Sequence, residues 1–404
     1  MINKQTNVNN KIVWCLTVLL ITSFTVFETY RWGKFIFLGV AIIVYGLYCL
    51  RTGSFLFPLE SYQKFLMAFT IFTFVTSIWA LSFSDAIEKG TTLFQILIVF
   101  SLMYIYYRDL DGVDSLLSAI KWAGYLVSLY TIYFFGLNIL LSSTSASRLA
   151  NAFSNVNNIG LICALACVIQ IFELLHKGLK WEVLFTIPCI LVISATQSRK
   201  ALICLAMGLF LITAIKNLGE GKTLKSLRGV CLAIIIIVVV YFAISNIPMF
   251  SGLYERMQRM LYSINGTGLV DHSTLIRNEM VRLGIDWWVK YPIGGIGIGS
   301  PHIIALQYVG ADHYLHNNYV ELLCGGGLVG FCLYYSIYAY IIFQLIKLRR
   351  KDFRMFSFGI TWMLIMLLMD YGMVSYYSQD QWFYLMVHFL NIRNMRKTGE
   401  KYEC

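Results

Sequence analysis

Residues 230–247, VCLAIIIIVVVYFAISNI, form an apolar run of eighteen residues that contains no charged side chain. A helix of about 20 residues is long enough to cross the hydrocarbon core of a bilayer. A surface helix of a soluble domain is apolar along one stripe only, so it does not require such a run. The stretch therefore predicts a membrane-spanning helix.

The whole chain has the same composition as this run. Of its 404 residues, 58% are hydrophobic and 13% are charged, whereas soluble proteins carry about 25% charged residues. This balance excludes a water-soluble globular enzyme, a disordered chain and a fibrous repeat. It predicts an all-α, polytopic integral membrane protein.

Apolar runs separated by charged residues or by Gly and Pro predict about 12 transmembrane helices. Their first residues lie near Ile12, Phe35, Phe65, Thr91, Ala119, Ile159, Val183, Ala201, Val230, Asn318, Met355 and Gln381. No linker or repeat divides the chain, so residues 1–404 are predicted to form a single membrane domain.

Basic residues predict the orientation, because Lys and Arg collect in cytoplasmic loops. The run at 347–354 is the strongest anchor of this kind, and it places both termini in the cytoplasm. The same rule accounts for the net charge of +11 without a nucleic-acid partner. The predicted location is the bacterial cytoplasmic (inner) membrane, with membrane lipid as a partner.

One long loop, residues 248–315, lies between the ninth and tenth predicted spans on the extracytoplasmic face. It contains an amphipathic stretch at 274–290, in which Ile276, Met280 and Leu283 recur at helical spacing. A helix lying in the membrane interface explains this pattern. That explanation leaves the polar side of the helix available for catalysis.

Four polar clusters lie at the outer ends of the predicted spans. They are Arg148 with Asn157 and Asn158; Ser198-Arg199-Lys200; Arg277 with the glycine-rich run 292–299; and His316-Asn317. Each has an ordinary explanation, such as lipid phosphate bound by an arginine or a structural hydrogen bond made by the histidine. The glycine run does not match a nucleotide-binding motif, and it is more compatible with tight turns or a close approach of sugar.

Together the clusters favour transfer of a group from a lipid diphosphate to an alcohol. A guanidinium grips phosphate oxygens in a fork, and a histidine can accept a hydroxyl proton near neutral pH. Arginines supply the positive charge, so neither a metal nor another cofactor is predicted. Asp312, His313 and His316 are a less favoured alternative, a metal site on the same face.

The segment from His316-Asn317 to Gly327-Leu-Val-Gly330 resembles the signature of the bacterial O-antigen ligase and polysaccharide polymerase superfamily. Ser198-Arg199 is similar to the Ser-Arg motif that begins a helix in that family. In motif order, the resemblance covers residues 148–335.

Two further motifs agree with this resemblance. Arg277 followed by the run 292–299 is similar to the family's stretch of arginine, tryptophan, proline and glycines. Arg148 with the asparagines at 157–158 resembles an arginine-then-Pro-Asn segment, although Val156 stands where proline is usual.

The resemblance implies a metal-independent membrane glycosyltransferase with an extracytoplasmic active site. The implied donor is a glycan on undecaprenyl diphosphate. Arg199 and Arg277 would hold the diphosphate with help from Arg148, and His316 would activate the acceptor hydroxyl. Four other polar residues are predicted to bind substrate: Asn157, Asn158, Lys200 and Asn317.

The leading hypothesis is a polymerase that transfers glycan to another lipid-linked repeat unit. The first alternative is a ligase that moves finished glycan to a different acceptor. The second is a lipid-linked oligosaccharide flippase or transporter, which the scarcity of charges deep in the spans disfavours. Assembly with other polysaccharide export components is left open.

Overall fold

The computed structural model describes residues 2–27, 33–55, 59–109, 112–141, 153–219, 250–265 and 272–403, with isolated positions between them. Within these ranges the chain is all-helical and contains no strand. In chain order the helices are α1 (Ile2–Val26), α2 (Gly33–Thr52), α3 (Ser61–Thr76), α4 (Phe83–Asp109), α5 (Val113–Phe135), α6 (Leu137–Leu141), α7 (Val156–Lys177), α8 (Thr186–Thr196), α9 (Arg199–Gly219), α10 (Ser251–Asn265), α11 (His272–Lys290), α12 (Pro301–Val309), α13 (Asn318–Leu348), α14 (Phe353–Asp370) and α15 (Gln379–Glu403).

Five of the described helices are long and apolar enough to cross a membrane. The spanning segments are Phe35–Thr52, Phe83–Arg108, Val156–Lys177, Asn318–Leu348 and Phe353–Asp370. Shorter apolar helices occupy Asn10–Val26 and Trp181–Thr196. The all-α membrane architecture is therefore confirmed, and the count of about 12 spans stays a prediction.

The seventh and ninth predicted spans do not coincide with a long helix of the described residues. The seventh, near Val183, corresponds to a short 3₁₀ helix, Trp181–Phe185, that leads into the eleven residues of α8. Most of the ninth, the run at 230–247, lies outside the described residues. Its described positions are helical, and Ile234 and Val238 expose their side chains as a lipid-facing helix would.

The contacts of the chain cluster in two compact units. The first unit contains residues 1–43, 111–265 and 349–365. Its centre is α7, which packs against α5, α8 and α9. The helices come close because glycines stand at the crossings: a Cβ on Gly124 would lie 2.6 Å from the Cβ of Ala166, and one on Gly208 would lie 2.4 Å from Val168.

The second unit contains residues 44–110, 266–348 and 366–404. Helix α13 packs against α3, α11 and α15, and α15 also packs against α4. Large aromatic side chains fill the centre, with the ring of Phe69 near those of Tyr334, Tyr376 and Trp382.

Helix α13 is kinked at Gly327, whose φ of 60° and ψ of −166° are not helical. The kink frees backbone N–H groups that would otherwise bond within the helix. Leu328 donates to the carbonyl of Pro292 at 2.8 Å, and Val329 donates to that of Ile293 at 3.2 Å. The glycine-rich run 292–299 is thus bonded to the helix backbone.

The run 292–299 also bonds to the residues of α13 that precede Gly327, and glycines allow the two backbones to approach closely. Ile296 donates its N–H to the carbonyl of Cys324 at 2.9 Å. A Cβ on Gly295 would lie 2.5 Å from that same carbonyl, and one on Gly327 would lie 2.2 Å from the carbonyl of Ile293. The two glycine motifs therefore form one interlock between backbones. This geometry explains Gly295 and Gly327 by backbone packing, and the run 292–299 contains the tight turns that were one of the two predicted explanations for its glycines.

Candidate functional site

In the first unit, the site residues gather at the sharp turn between α8 and α9. Gln197 ends α8 in the left-handed region, at φ 50° and ψ 31°. The Ser198 hydroxyl accepts a hydrogen bond from the N–H of Ala201 at 3.4 Å and so caps α9. It also donates to the Asn157 side-chain oxygen at 3.2 Å. The structure therefore brings Asn157 to the Ser-Arg motif.

The turn fits closely because α7 presents Gly160 to it. A Cβ at this position would lie 2.8 Å from the Thr196 hydroxyl and 3.2 Å from the Cβ of Ser198. Asn155 precedes α7 and accepts a hydrogen bond from the Asn157 N–H at 3.0 Å, which fixes the first turn. Asn158 lies in that same turn and is partly buried.

Positive charge surrounds the start of α9. Arg199 and Lys200 are its first two residues, where the helix dipole places its positive end. Arg256 of α10 approaches from another element and donates to the Gln197 carbonyl at 3.4 Å. A helix N-terminus that carries two basic residues is suited to bind an anion such as a diphosphate.

The sequence did not single out Arg256. The available signal was its place on a strongly amphipathic helix, α10, inside the long predicted loop. Arg148, by contrast, was predicted from its motif and lies outside the described residues.

In the second unit, His316 lies two residues before the start of α13 and has a left-handed backbone at φ 58°. Among the described residues, His316 and Gln197 are the two that adopt this conformation without being glycine. Such backbone costs about 1–3 kcal/mol and is concentrated at functional sites. The imidazole is partly buried and packs edge-on against the ring of Tyr314, with centroids 4.5 Å apart.

Neighbouring residues hold the backbone on both sides of His316. The buried carboxylate of Glu321 accepts the Leu315 N–H at 2.8 Å. The Asn317 side-chain oxygen accepts the N–H groups of Tyr319 at 3.0 Å and Val320 at 3.2 Å, which caps α13. Asn317 thus has a structural role in addition to the substrate contact that was predicted. Glu321 was missed, although an acid in the first turn of an apolar helix was a visible signal.

Asn318 connects this turn to a buried polar cluster. Its side-chain oxygen accepts the N–H groups of Ser375 at 2.8 Å and Tyr376 at 3.1 Å. Its amide donates to the Tyr335 hydroxyl at 3.0 Å and faces the Asp370 carboxylate at 3.4 Å. The carboxylate also accepts from Tyr335 at 3.1 Å. The cluster anchors the start of α13 in the interior of the unit.

Arg277 lies partly buried on α11, which packs against α13. Gly284 allows this approach, because a Cβ there would lie 2.5 Å from Leu315 and 2.6 Å from Val320. The predicted apolar face of the helix, which includes Met280, belongs to the protein core. The expectation of an interfacial helix is corrected here: its apolar face is covered by protein, with Leu315 and Val320 among the residues it packs with.

His302 of α12 ties three segments of the second unit together. Its ring nitrogens lie 2.9 Å from the Asp85 carboxylate and 2.8 Å from that of Asp312. Burial opposes the charged imidazole, but the hydrogen bonds to both carboxylates outweigh it and raise the pKa of His302 above its ordinary value. Asp312 is therefore hydrogen-bonded to His302.

A metal centre requires several convergent ligands. In the part of the chain that the structure describes, no three His, Cys, Asp or Glu side chains come together as a metal would need. Asp312, His313 and His316, which the alternative prediction combined, are all inside that part and do not form such a group.

Within the described residues the chain is all-helical, and five of these helices are long and apolar enough to span a membrane, as in a multi-pass membrane protein. Residues 184–335 match the family described as O-Antigen ligase. The matched segment includes Arg199, Arg277 and His316. A search of the curated proteins found no match for the chain. The resemblance that the motifs indicate is thus confirmed over residues 184–335, and the predicted motif with Arg148, Asn157 and Asn158 lies before the matched segment.

Proposed function

We propose that this protein is a polysaccharide repeat-unit polymerase of the cytoplasmic membrane. It transfers a growing glycan from undecaprenyl diphosphate to a sugar hydroxyl of another lipid-linked repeat unit on the extracytoplasmic face. The proposal rests on one observation. The two described non-glycine residues with left-handed backbone, Gln197 and His316, fall at the two motifs that carry the predicted chemistry. A left-handed backbone at each motif, within the segment that matches the O-Antigen ligase family, is typical of residues held in place for a function.

The reaction requires two contributions: stabilisation of the negative charge on the leaving group and removal of a proton from the acceptor hydroxyl. The bond between the anomeric carbon and the diphosphate oxygen breaks, and its electron pair leaves with the diphosphate. Arg199 and Arg277 stabilise this leaving group, with help from Arg148 and Lys200. The acceptor oxygen forms the new bond to the anomeric carbon as His316 takes its proton. The arginines supply the cationic charge that a metal would otherwise provide.

The second candidate is a ligase that transfers finished glycan to a different acceptor. The description of the matched family favours it. Both activities use the same donor, so the acceptor alone distinguishes them.

Product analysis tests the proposal directly. The purified protein is reconstituted in vesicles with a synthetic repeat unit on undecaprenyl diphosphate and no other acceptor. A ladder of lengthening lipid-linked glycans is the expected result. Transfer that occurs only after a second acceptor is added would replace the polymerase by the ligase. Movement of the lipid across the vesicle without any transfer would overturn both and indicate a transporter.

A further inference from the structure

A polar cavity of about 270 Å³ lies in the second unit, far from His316 along α13. Tyr340 lines it, 22 residues after the start of this helix. At about 1.5 Å per residue the path along α13, through the kink at Gly327, is about 33 Å, which is comparable to the thickness of the bilayer core of about 30 Å. The cavity therefore lies at the membrane boundary opposite to the His316 end of α13.

The lining of the cavity is rich in positive charge. Three basic side chains, Lys64, Arg393 and Arg396, line it together with one carboxylate, that of Glu60. This excess favours an anionic ligand over a cation or a neutral sugar.

The single carboxylate is already satisfied by protein donors. Tyr104 donates to Glu60 at 2.7 Å and Arg393 donates at 2.8 Å. Arg108 adds a third contact at 3.5 Å. These donors occupy the oxygens of Glu60, which thereby orients Arg393 in the wall of the cavity. Glu60 does not pair with Lys64 or Arg396, so it does not neutralise their charges.

Donor capacity remains for a ligand. Arg396 donates to the neutral oxygen of Gln344 at 2.8 Å, a partner that does not cancel its charge. Lys64 and Arg396 both line the cavity and expose their side chains, so a phosphoryl oxygen in the cavity can accept from them.

Part of the wall is apolar: Phe389 stacks on Tyr340 at 5.6 Å between ring centroids, and Ile392 also lines the cavity. The volume is below the range of about 300–1,000 Å³ that drug-sized ligands occupy. It has room for a head group and not for a glycan chain. We propose that this cavity binds the phosphoryl head group of an anionic phospholipid in the leaflet opposite to the His316 end of α13.

Titration of the purified full-length protein in a neutral detergent tests this site. Dihexanoyl phosphatidylglycerol, dihexanoyl phosphatidylcholine and inorganic phosphate are the three probes, and binding is followed by calorimetry. The cavity variant combines Lys64→Gln with Arg396→Gln. The control variant combines Lys347→Gln with Arg350→Gln, which remove the same charge from exposed residues outside the lining.

The expected result is saturable binding of phosphatidylglycerol, weakened at least tenfold in the cavity variant and unchanged in the control. Equal binding by the two variants, or equal binding of phosphatidylcholine, would overturn the site. Inorganic phosphate that binds as tightly as the anionic lipid would retain the phosphoryl site and overturn the lipid as its source. Arg396 is exposed, so Arg396→Gln alone repeats the comparison if the double variant does not fold.

Discussion

His316 combines a reactive side chain with a backbone conformation that its neighbours impose. Glu321 and Asn317 bond the backbone on either side, and the ring rests on Tyr314. We expect His316→Ala to lower polymer formation by about 10²–10⁴-fold, the usual contribution of a general base. The measurement is the initial rate of chain extension in vesicles. His313→Ala, on the same segment, is the control and should retain normal activity; equal loss in both variants would disprove the role of His316.

Arg199 is expected to act on the leaving group through its guanidinium. Arg199→Ala should lower the transfer rate by about 10²–10³-fold, because one preorganised charge stabiliser is removed from the transition state. Arg199→Lys should recover only part of the rate, since an ammonium lacks the fork geometry. Rates with saturating lipid donor check this. Arg259→Ala, which removes an exposed arginine paired with Glu255 at 3.6 Å, is the matched control. A fully active alanine variant at position 199 would contradict the assignment.

At the scale of elements, the interlock between α13 and the glycine-rich run is the most demanding contact. Gly327→Ala introduces a Cβ 2.2 Å from the Ile293 carbonyl at a φ of 60°. We expect a loss of at least about 2 kcal/mol of folding free energy, from strain and from the backbone clash. Thermal unfolding in detergent measures it. Gly39→Ala, in open space on α2, should be neutral or slightly stabilising. Equal melting temperatures for the two variants would argue against the interlock.

The bridge made by His302 predicts a pH dependence of stability. Its pKa is raised in the folded state, so its contribution is complete below the unfolded value of about 6.5 and is lost as pH rises through the folded pKa. Above that pH the wild type should lose this stabilisation, and His302→Gln should lack this part of the pH dependence. Melting temperatures across pH 5.5 to about 9 test the difference between the two proteins. Parallel curves would contradict the prediction.

Periodicity and composition predicted which segments form helices better than they predicted what each helix packs against. The apolar face with Met280 was predicted correctly as a set of residues, but the pattern does not specify whether lipid or protein covers such a face. The bond from Leu328 to Pro292 joins residues far apart in sequence, so no local pattern indicates it. Arg256 was missed for the same reason, because its approach to Gln197 depends on how α10 packs.

Some residues of the candidate site could be recognised from the sequence, and others could not. The Ser-Arg motif and His316 were visible as motifs, and the family match includes both. The left-handed backbone at Gln197 and His316 has no glycine to mark it. The buried cluster around Asp370 was also hidden, since a single acid at the end of an apolar run looks like an ordinary helix boundary.

At the scale of the whole molecule, the distribution of basic residues predicts both termini in the cytoplasm. Reporter fusions test this. A phosphatase fused after residue 311 should be active, since this enzyme works only outside the cytoplasm, and one fused after residue 350 should be inactive. Green fluorescent protein at the C-terminus should fluoresce. The reverse pattern of phosphatase activity would invert the topology and place His316 in the cytoplasm.

The kink in α13 also determines how the protein responds to the thickness of its bilayer. The nine residues from Asn318 to Gly326 rise about 13 Å at about 1.5 Å each. Backbone hydrogen bonds to the run 292–299 hold the C-terminal end of this segment at the interlock. A longer or shorter acyl chain therefore tilts or strains the part of the helix beyond Gly327, where lipid mismatch can be absorbed at modest cost. We therefore expect the rate of the proposed transfer to change little between membranes of different thickness.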